Sequence, residues 1–481
     1  MADWNELFKC ETRGASQKIG DTARMPIPLS RFLLLAALLS VSLGCNRMRN
    51  SAPPSPFAAQ EANASNPTRA AFSRRMAGLD KSGDYSAMVA AARTQIASDA
   101  GDSSAQYALA RGSYFNGDFA VATAELSKLT QTPPFQQDAE ALEMLRVASY
   151  LNGRYAGQKF PPIVSVAGDV AQQSQAAREQ GTALIAAKKY DEIEEFAAAQ
   201  TKNPTILSDG GWTLAPFYVG LWDGASDSES EAQWQPKHAQ IEAWHAARPN
   251  SQLAQICLAR SWTNGAWVAR GDEYANKVSS AAWKTVEERQ GKAAPIYQKL
   301  LNGKVSSPLI YAAAQRYGRL GSAPRDWHDK ILQRGIAQFP TYTDFYRERA
   351  IYLLPRWNGA PGEWESDLKK SADAEAARAG ASAGDQLYAR VVWEQEDFYA
   401  NMQRQTKIDW PRAKRGFEAI LKQHPNSLSA ATRYMRFCYA WNEGGKAREL
   451  LQIVGGRAEN TMWNTPRRFA EARIVILRLT S

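Results

Sequence analysis

The stretch GDFAVATAELSKLTQTPP (residues 117–134) decides the fold. It opens with a Gly-Asp turn and the aromatic Phe119, after which Ala122, Leu126 and Leu129 follow at spacings of four and three. This spacing places the three apolar side chains on one face of a helix. The Pro-Pro pair ends the helix, because proline has no backbone N–H to donate. The stretch therefore predicts a tight turn followed by a short amphipathic helix.

The turn and its aromatic residue recur along the N-terminal half. Tyr85, Phe119, Tyr155 and Tyr190 stand at intervals of 34, 36 and 35 residues. Gly-Asp precedes the first two, Gly-Arg the third and Lys-Lys the fourth. One helix–turn–helix unit is about 34 residues long, so the pattern predicts an all-α fold built as an α-solenoid. Solenoids usually present a surface for binding rather than a catalytic pocket.

This pattern resembles the tetratricopeptide repeat (TPR). Small residues such as Ala110 and Ala122 let two helices approach closely, and the aromatic residue after the turn wedges between them. Residues 410–454 resemble the same repeat. The third unit departs from it, because Pro161-Pro162 interrupts the expected second helix and predicts an irregular connection. The resemblance implies a rigid array of helix pairs that binds a protein or peptide.

Tryptophan usage divides the chain. After Trp4 the next tryptophan is Trp212, and 14 of the 15 lie between Trp212 and Trp463. Such a shift predicts a regular TPR-like array over residues 76–205 and a Trp-rich, irregular TPR-like helical domain over 206–481. Within the second region, Asn264-Gly265 is predicted to end a helix. This region is also distantly similar to uncharacterised secreted helical-repeat domains, which implies no known activity.

The N-terminal residues resemble a bacterial lipoprotein signal. Residues 25–45 contain a positive start and 13 mostly apolar residues, too few for the roughly 20 that span a bilayer. The segment ends in SLGC, which resembles the lipobox and implies lipid attachment at Cys45, although Ser42 replaces the usual leucine. A cleaved signal without lipid and a merely buried segment are the alternatives. Residues 1–24 are interpreted either as untranslated or as a cytosolic tail.

A flexible linker is expected behind the lipid site. Residues 46–75 are rich in Ser, Ala, Asn and Pro and contain few large apolar residues, which is typical of a disordered tether. Asn46 follows the cysteine where an aspartate would favour retention in the inner membrane, so the resemblance implies the outer membrane, facing the periplasm. The formal charge of +9 comes from scattered basic residues, and this distribution does not predict nucleic-acid binding.

The sequence offers little catalytic chemistry. His238 and His245 lie seven residues apart without a third ligand at metal spacing, so we expect no metal site and no cofactor. The hydrolase, zinc-protease and phosphate-loop motifs are missing from the sequence. Glu394 and Asp397 could form a carboxylate pair for glycan hydrolysis, but a solvated acidic helix face is the favoured interpretation, because acidic clusters on helices are common. Cys257 and Cys438 are expected to be buried free thiols rather than a disulfide.

Tryptophan and arginine together give the best candidate for a binding groove. One group is Trp262, Trp267 and Arg270, and the other is Arg356, Trp357 and Trp364. Arginine beside tryptophan can form a cation–π contact or present its planar donor fork to a ligand. The alternative is a packed core in which the arginines extend their charged ends to the surface.

These observations favour an envelope scaffold without catalytic activity that binds a protein or peptide partner. A second interpretation is a glycan- or peptidoglycan-binding module in the Trp-rich half, with or without hydrolytic activity. A third is a structural envelope protein without a soluble ligand. In each of the three interpretations, the lipid anchor attaches the protein to the membrane.

Overall fold

The computed structural model describes Phe57 and residues 67–222, 230–321 and 323–479. Helices make up nearly all of the regular structure in these ranges, so the predicted all-α, solenoid-like helical-repeat architecture is confirmed. Residues 1–45, with the predicted signal and Cys45, lie outside the described residues, as does most of the predicted tether.

Twenty-two helices and two short strands occupy the described ranges. In chain order they are α1 (Pro67–Ser82), α2 (Tyr85–Ser98), α3 (Ser103–Asn116), α4 (Phe119–Leu129), α5 (Ala139–Arg154), β1 (Val164–Val166), α6 (Asp169–Ala186), α7 (Tyr190–Lys202), α8 (Leu214–Leu221), α9 (Glu231–Ala247), α10 (Gln252–Arg270), α11 (Ser280–Asn302), α12 (Leu309–Leu320), α13 (Arg325–Gln338), α14 (Asp344–Tyr352), α15 (Glu363–Ala379), α16 (Ala381–Glu394), α17 (Met402–Gln405), α18 (Trp410–Gln423), α19 (Leu428–Ala440), α20 (Gly444–Val454), β2 (Arg457–Glu459), α21 (Asn460–Trp463) and α22 (Pro466–Arg478).

The chain divides into two compact units that do not follow chain order. The central unit contains Ser174–Leu207 and Gly211–Ala413, and the terminal unit contains the described residues up to Gln173, Ser208–Gly210 and those from Lys414 onward. These two units therefore differ from the two regions, divided near residue 205, that the distribution of tryptophan predicts.

The predicted Gly-Asp turns join helices of the terminal unit. Gly83 and Gly117 have φ angles of 76° and 83°, which glycine adopts without steric cost. Asp84 and Asp118 then cap α2 and α4 by accepting hydrogen bonds from backbone N–H groups at 3.0 and 3.2 Å. Each turn thus ends one helix and starts the next, which explains why the dipeptide recurs.

The aromatic residues after these turns are mostly buried at helix starts. Tyr85, Phe119 and Tyr190 are the first residues of α2, α4 and α7, with 0%, 4% and 8% of their surface exposed. Lys188 has the positive φ angle before Tyr190, at 55°. Tyr155 differs, because it follows the end of α5 and its hydroxyl donates to the carbonyl of Leu477 at 3.1 Å.

The C-terminal helix completes the terminal unit. Helix α22 packs against α1 and α3, and β2 pairs in parallel with β1 beyond Pro161-Pro162. Arg473 of α22 is 1% exposed and donates to the carbonyl of Pro161 at 2.9 Å. An end repeat has an apolar face without a neighbouring repeat, and α22 covers part of that face.

The unit begins earlier than the predicted tether ends. Helix α1 starts at Pro67, inside the residues 46–75 assigned to the tether. Phe72 and Met76, 8% and 0% exposed, supply the apolar contacts that hold this segment as a helix.

The central unit contains alternating helices that form a continuous row. Helices α9 to α16 pack as sequential neighbours, and α10, α12, α14 and α16 also contact one another in that order. We call these four helices the stacked row. Helix α10 runs through Asn264-Gly265, so the predicted helix end at this dipeptide is wrong. Gly265 is needed there for close packing, because a Cβ atom would stand 2.5 Å from the Trp234 ring.

Candidate functional site

The two predicted tryptophan groups meet at the stacked row. Trp267 lies on α10 and is 3% exposed, whereas Trp357 lies in the loop after α14 and is half-buried. Their ring centroids are 5.3 Å apart at an interplanar angle of 85°, an edge-to-face contact. The helix packing therefore brings together one tryptophan from each group.

Arginine side chains surround this tryptophan pair. The guanidinium carbon of Arg270 lies 5.6 Å from the Trp267 centroid and 5.0 Å from that of Trp357. That of Arg319 lies 5.0 and 5.4 Å from the same two centroids, and that of Arg316 lies 5.3 Å from Trp267. These distances are within the range of cation–π attraction. We call these five residues the arginine–tryptophan cluster.

One buried carboxylate holds several of these charges together. Glu348 of α14 is 5% exposed, and its oxygens lie 3.4 Å from an Arg319 nitrogen and 3.3 Å from an Arg347 nitrogen. Burial raises the pKa of Glu348, but the attraction of Arg319, Arg347, Arg316 and Arg260 outweighs burial and leaves this pKa below its usual value. Glu348 is therefore ionised at neutral pH.

Two buried amides add unsatisfied polar groups to the same helices. Asn264 and Gln315 are 2% and 0% exposed, and neither the nitrogen nor the oxygen of either amide has a hydrogen-bond partner among the described residues. The indole nitrogens of Trp267 and Trp357 likewise have none there. Each unsatisfied buried group costs about 1–3 kcal/mol. Native proteins keep few of them, and these four groups lie on or beside the stacked row.

Helix periodicity explains why these groups share a face. On α10, Asn264 lies four residues after Arg260 and three before Trp267. On α12, Gln315 lies four residues before Arg319. Residues three and four apart lie on one side of a helix, so each helix directs an amide and an arginine the same way.

A tight loop positions Trp357. Its backbone N–H donates to the carbonyl of Leu354 at 2.8 Å, and Asn358 donates to Tyr352 at 3.1 Å. A Cβ atom at Gly359 would overlap the carbonyl oxygen of Leu353, so only glycine fits this close approach. Arg356 is exposed, with its guanidinium carbon 5.5 Å from the Trp357 centroid, and forms the rim of the cluster.

Trp262 does not join the cluster. Its ring centroid lies 4.0 Å from that of His238 and 5.9 Å from that of Trp234, and the Lys292 nitrogen lies 4.1 Å from it. His238 also shares a 2.8 Å hydrogen bond with Ser261, and burial lowers the pKa of its imidazole. Trp262 therefore packs in a separate aromatic group between α9, α10 and α11.

Trp364 is a core residue. It is 1% exposed on α15, and its indole nitrogen donates to the hydroxyl of Tyr399 at 2.7 Å. The structure therefore brings together Trp267, Arg270, Arg356 and Trp357 of the six predicted groove residues and places the other two elsewhere.

The other chemical candidates are dispersed. Glu394 is the last residue of α16, and Asp397 lies in the short 3-10 turn Glu396–Phe398 rather than on the same helix. The described residues contain no group of three or more His, Cys, Asp or Glu side chains suited to a metal ion. Cys257 and Cys438 are each buried and free. In the described ranges, no helix has both the length and the apolar character needed to cross a membrane.

Sequence reasoning did not identify Asn264, Gln315, Arg316, Arg319 and Glu348. The sequence feature that could have identified them is a set of polar residues at helical spacing on helices that are otherwise apolar. Gln315-Arg316 followed by Arg319 is an example. The pattern is visible in the sequence, but the partner of each residue is not.

Part of the central unit is similar to a known protein family. Residues 177–316 are similar to a family described as a domain of unknown function, DUF4034. The match begins close to the start of the central unit at Ser174 and includes α10 and most of α12. A search among curated proteins found no match.

Proposed function

We propose that this chain is a lipid-anchored helical-repeat scaffold of a bacterial cell envelope that binds a protein or peptide partner. The observation that carries the proposal is the arginine–tryptophan cluster on the stacked row, where fixed charges and unsatisfied donors lie on neighbouring helices. The TPR resemblance of the sequence supports the same role, since helical arrays of that kind bind partners along a row of helices.

The protonation states of the cluster suit binding rather than proton transfer. Arginine remains charged at all physiological pH values. Glu348 has a pKa below its usual value and also keeps one charge state. General acid–base catalysis needs a group whose pKa lies near the working pH. The charged groups of this cluster therefore hold a ligand in our proposal and do not exchange protons with it.

The cluster favours a peptide over a glycan as the partner. A sugar ring stacks on an open tryptophan face. Three guanidinium carbons, of Arg270, Arg316 and Arg319, already lie 5.0–5.6 Å from the Trp267 centroid. They present hydrogen-bond donors where a sugar would need a flat apolar surface.

In-cell crosslinking of the tagged, full-length protein tests this function, with mass spectrometry of what is captured. A Cys45→Ala variant provides the mislocalised control. We expect a defined protein partner that is captured by the wild type and lost in the control. Capture of glycan only, or of the same proteins by both forms, would refute the scaffold proposal.

A further inference from the structure

We propose that Tyr107 and Phe135 form a docking site for a phenylalanine side chain of an extended segment, and that Phe57 of this chain occupies the site and competes with a partner's segment. We call Tyr107 and Phe135 the aromatic slot. This inference rests on the proposed function, because it names a surface and a residue type through which a peptide partner binds. The slot belongs to the terminal unit and shares no residue with the arginine–tryptophan cluster.

Three aromatic rings meet at the slot. The centroid of the Phe57 ring lies 5.5 Å from that of Tyr107, at an interplanar angle of 57°. The Tyr107 ring in turn stacks on Phe135, with 5.1 Å between the centroids and an angle of 20°. Phe57, Tyr107 and Phe135 have 0%, 0% and 3% of their surface exposed. These distances are typical of favourable aromatic pairs, so the slot accepts a complete aromatic side chain.

The terminal unit holds the slot in place without help from its occupant. Tyr107 lies in the second turn of α3, which Asp102 caps. The backbone N–H of Phe135 donates to the carbonyl of Thr132 at 3.0 Å, and the carbonyl of Phe135 accepts from the N–H of Asp138 at 3.1 Å. None of these bonds involves the occupant, so the slot is preformed, and a preformed site binds at a lower entropic cost.

The occupant offers the slot a single large apolar side chain. Between residues 49 and 66, Phe57 is the only such side chain, and the other residues are small, polar, charged or proline. A phenylalanine of another chain has the same ring and can therefore replace it. Phe57 has an advantage, because it lies ten positions before the start of α1 at Pro67. A short covalent linkage gives an effective concentration on the order of millimolar, so Phe57 weakens the binding of a partner's segment without abolishing it.

Fluorescence anisotropy on the full-length protein tests the competition. The probe is a labelled peptide with the sequence of residues 51–61, SAPPSPFAAQE, and its matched control has alanine in place of phenylalanine. If Phe57 fills the slot about nine-tenths of the time, the apparent affinity of the wild type falls about tenfold. We therefore expect Phe57→Ala to bind the probe about tenfold more tightly than the wild type, and neither protein to bind the control peptide. Equal binding of the probe by both proteins, or no binding by the variant, would overturn the inference.

A photoreactive probe locates the site without any substitution in the slot. Benzoylphenylalanine replaces the phenylalanine of the peptide, and mass spectrometry identifies the residues of Phe57→Ala to which it crosslinks. We expect crosslinks within α3 or within the 3-10 turn Phe135–Gln137. Crosslinks that lie elsewhere would overturn the inference.

Two tyrosine variants in the Phe57→Ala background link binding to the slot. An aromatic pair adds roughly two- to tenfold to an equilibrium constant beyond the burial of its surface, so Tyr107→Leu should weaken the probe by that factor. Tyr274→Leu removes a tyrosine of the central unit that is 72% exposed, and it should leave binding unchanged. Unchanged binding by a Tyr107→Leu protein that circular dichroism shows to be folded would contradict the inference. If this variant does not fold, the photocrosslinks decide.

In-cell crosslinking of Phe57→Ala separates this inference from the proposed function. A partner captured in higher yield by this variant than by the wild type supports both. A partner captured equally by both forms leaves the scaffold function intact and refutes the competition at the slot. If neither form captures a specific partner, the scaffold function is refuted, and the probe peptide alone decides whether the slot binds an aromatic segment. A wild-type dimer that dissociates in Phe57→Ala, measured by light scattering, would show that Phe57 docks on a second copy and would overturn its assignment to its own chain.

Discussion

Replacing Gly265 by alanine should destabilise the central unit, although the same change stabilises most helices. A Cβ atom at residue 265 would stand 2.5 Å from Cζ2 and 2.6 Å from Cε2 of Trp234. The Trp234 ring cannot easily move away, because its nitrogen donates to the Ser261 carbonyl at 3.0 Å and the ring stacks on His238 at 4.6 Å. The guanidinium carbon of Arg289 lies 4.2 Å from the same ring.

The expected cost follows from these contacts. Alanine in place of a helical glycine stabilises by about 0.5–1 kcal/mol. Overpacking costs about 1–3 kcal/mol, and loss of the hydrogen bond from Trp234 to Ser261 costs about 1 kcal/mol more. Gly265→Ala should therefore lower the free energy of unfolding by about 1–3 kcal/mol.

Gly291→Ala provides a matched control. Gly291 lies inside α11 of the same unit, and a Cβ atom there would meet nothing within 4 Å apart from its chain neighbours and the backbone of its own helix. This variant should gain about 0.5–1 kcal/mol. Urea unfolding of the full chain, followed by tryptophan fluorescence, measures both variants, since most of the tryptophans belong to the central unit. If Gly265→Ala is as stable as Gly291→Ala, the packing argument for α10 is wrong.

Three further predictions concern a titrating group, a buried ion pair and the lipid anchor. Burial and two neighbouring arginines lower the pKa of His328 from 6.5 to about 3, so its contribution to stability is complete above pH 6.5 and is lost as the pH falls toward 3. Unfolding measured across this pH range should show a shallower decline for His328→Phe, and parallel curves would contradict the assignment. Arg111 is 1% exposed and lies 2.7 Å from the fully buried Asp80, which also pairs with Arg467 at 3.2 Å, so Arg111→Met should cost about 3 kcal/mol in chemical unfolding, at the lower end of the cost of breaking a buried pair. A loss below about 1 kcal/mol would show that the pair adds little. Cys45→Ala should move the protein from the membrane fraction to the soluble periplasmic fraction, and an unchanged distribution would argue against lipid anchoring.

Local features of the fold could be read from the sequence because they depend on neighbouring residues. The turns at Gly83 and Gly117 need a residue with positive φ and a capping aspartate one position later, and both requirements are visible in the chain. The same approach erred at Asn264-Gly265, which has the composition of a helix end. Close approach of the Trp234 ring, a tertiary contact, selects this glycine instead.

The candidate site could be predicted only in part. Aromatic and basic residues identified Trp267, Arg270, Arg356 and Trp357, but not that the two groups share one site. Trp262 and Trp364 have the same local composition and lie in packed surroundings. Nothing in the sequence distinguishes a tryptophan beside a guanidinium group from one that fills a core, because the difference depends on which helices pack together.

The sequence by itself determined the helical class, the repeat period and the turns, because backbone hydrogen bonds and caps connect residues within a few positions of each other. The tertiary structure decided which residues form the two units and which charges meet. Arg467 of α22 pairs with Asp80 at 3.2 Å across most of the chain length, and Arg319 pairs with Glu348 from a different helix. Such pairs form when apolar helix faces are buried against one another. Burial of apolar surface is non-directional, so the sequence does not specify which helix faces meet.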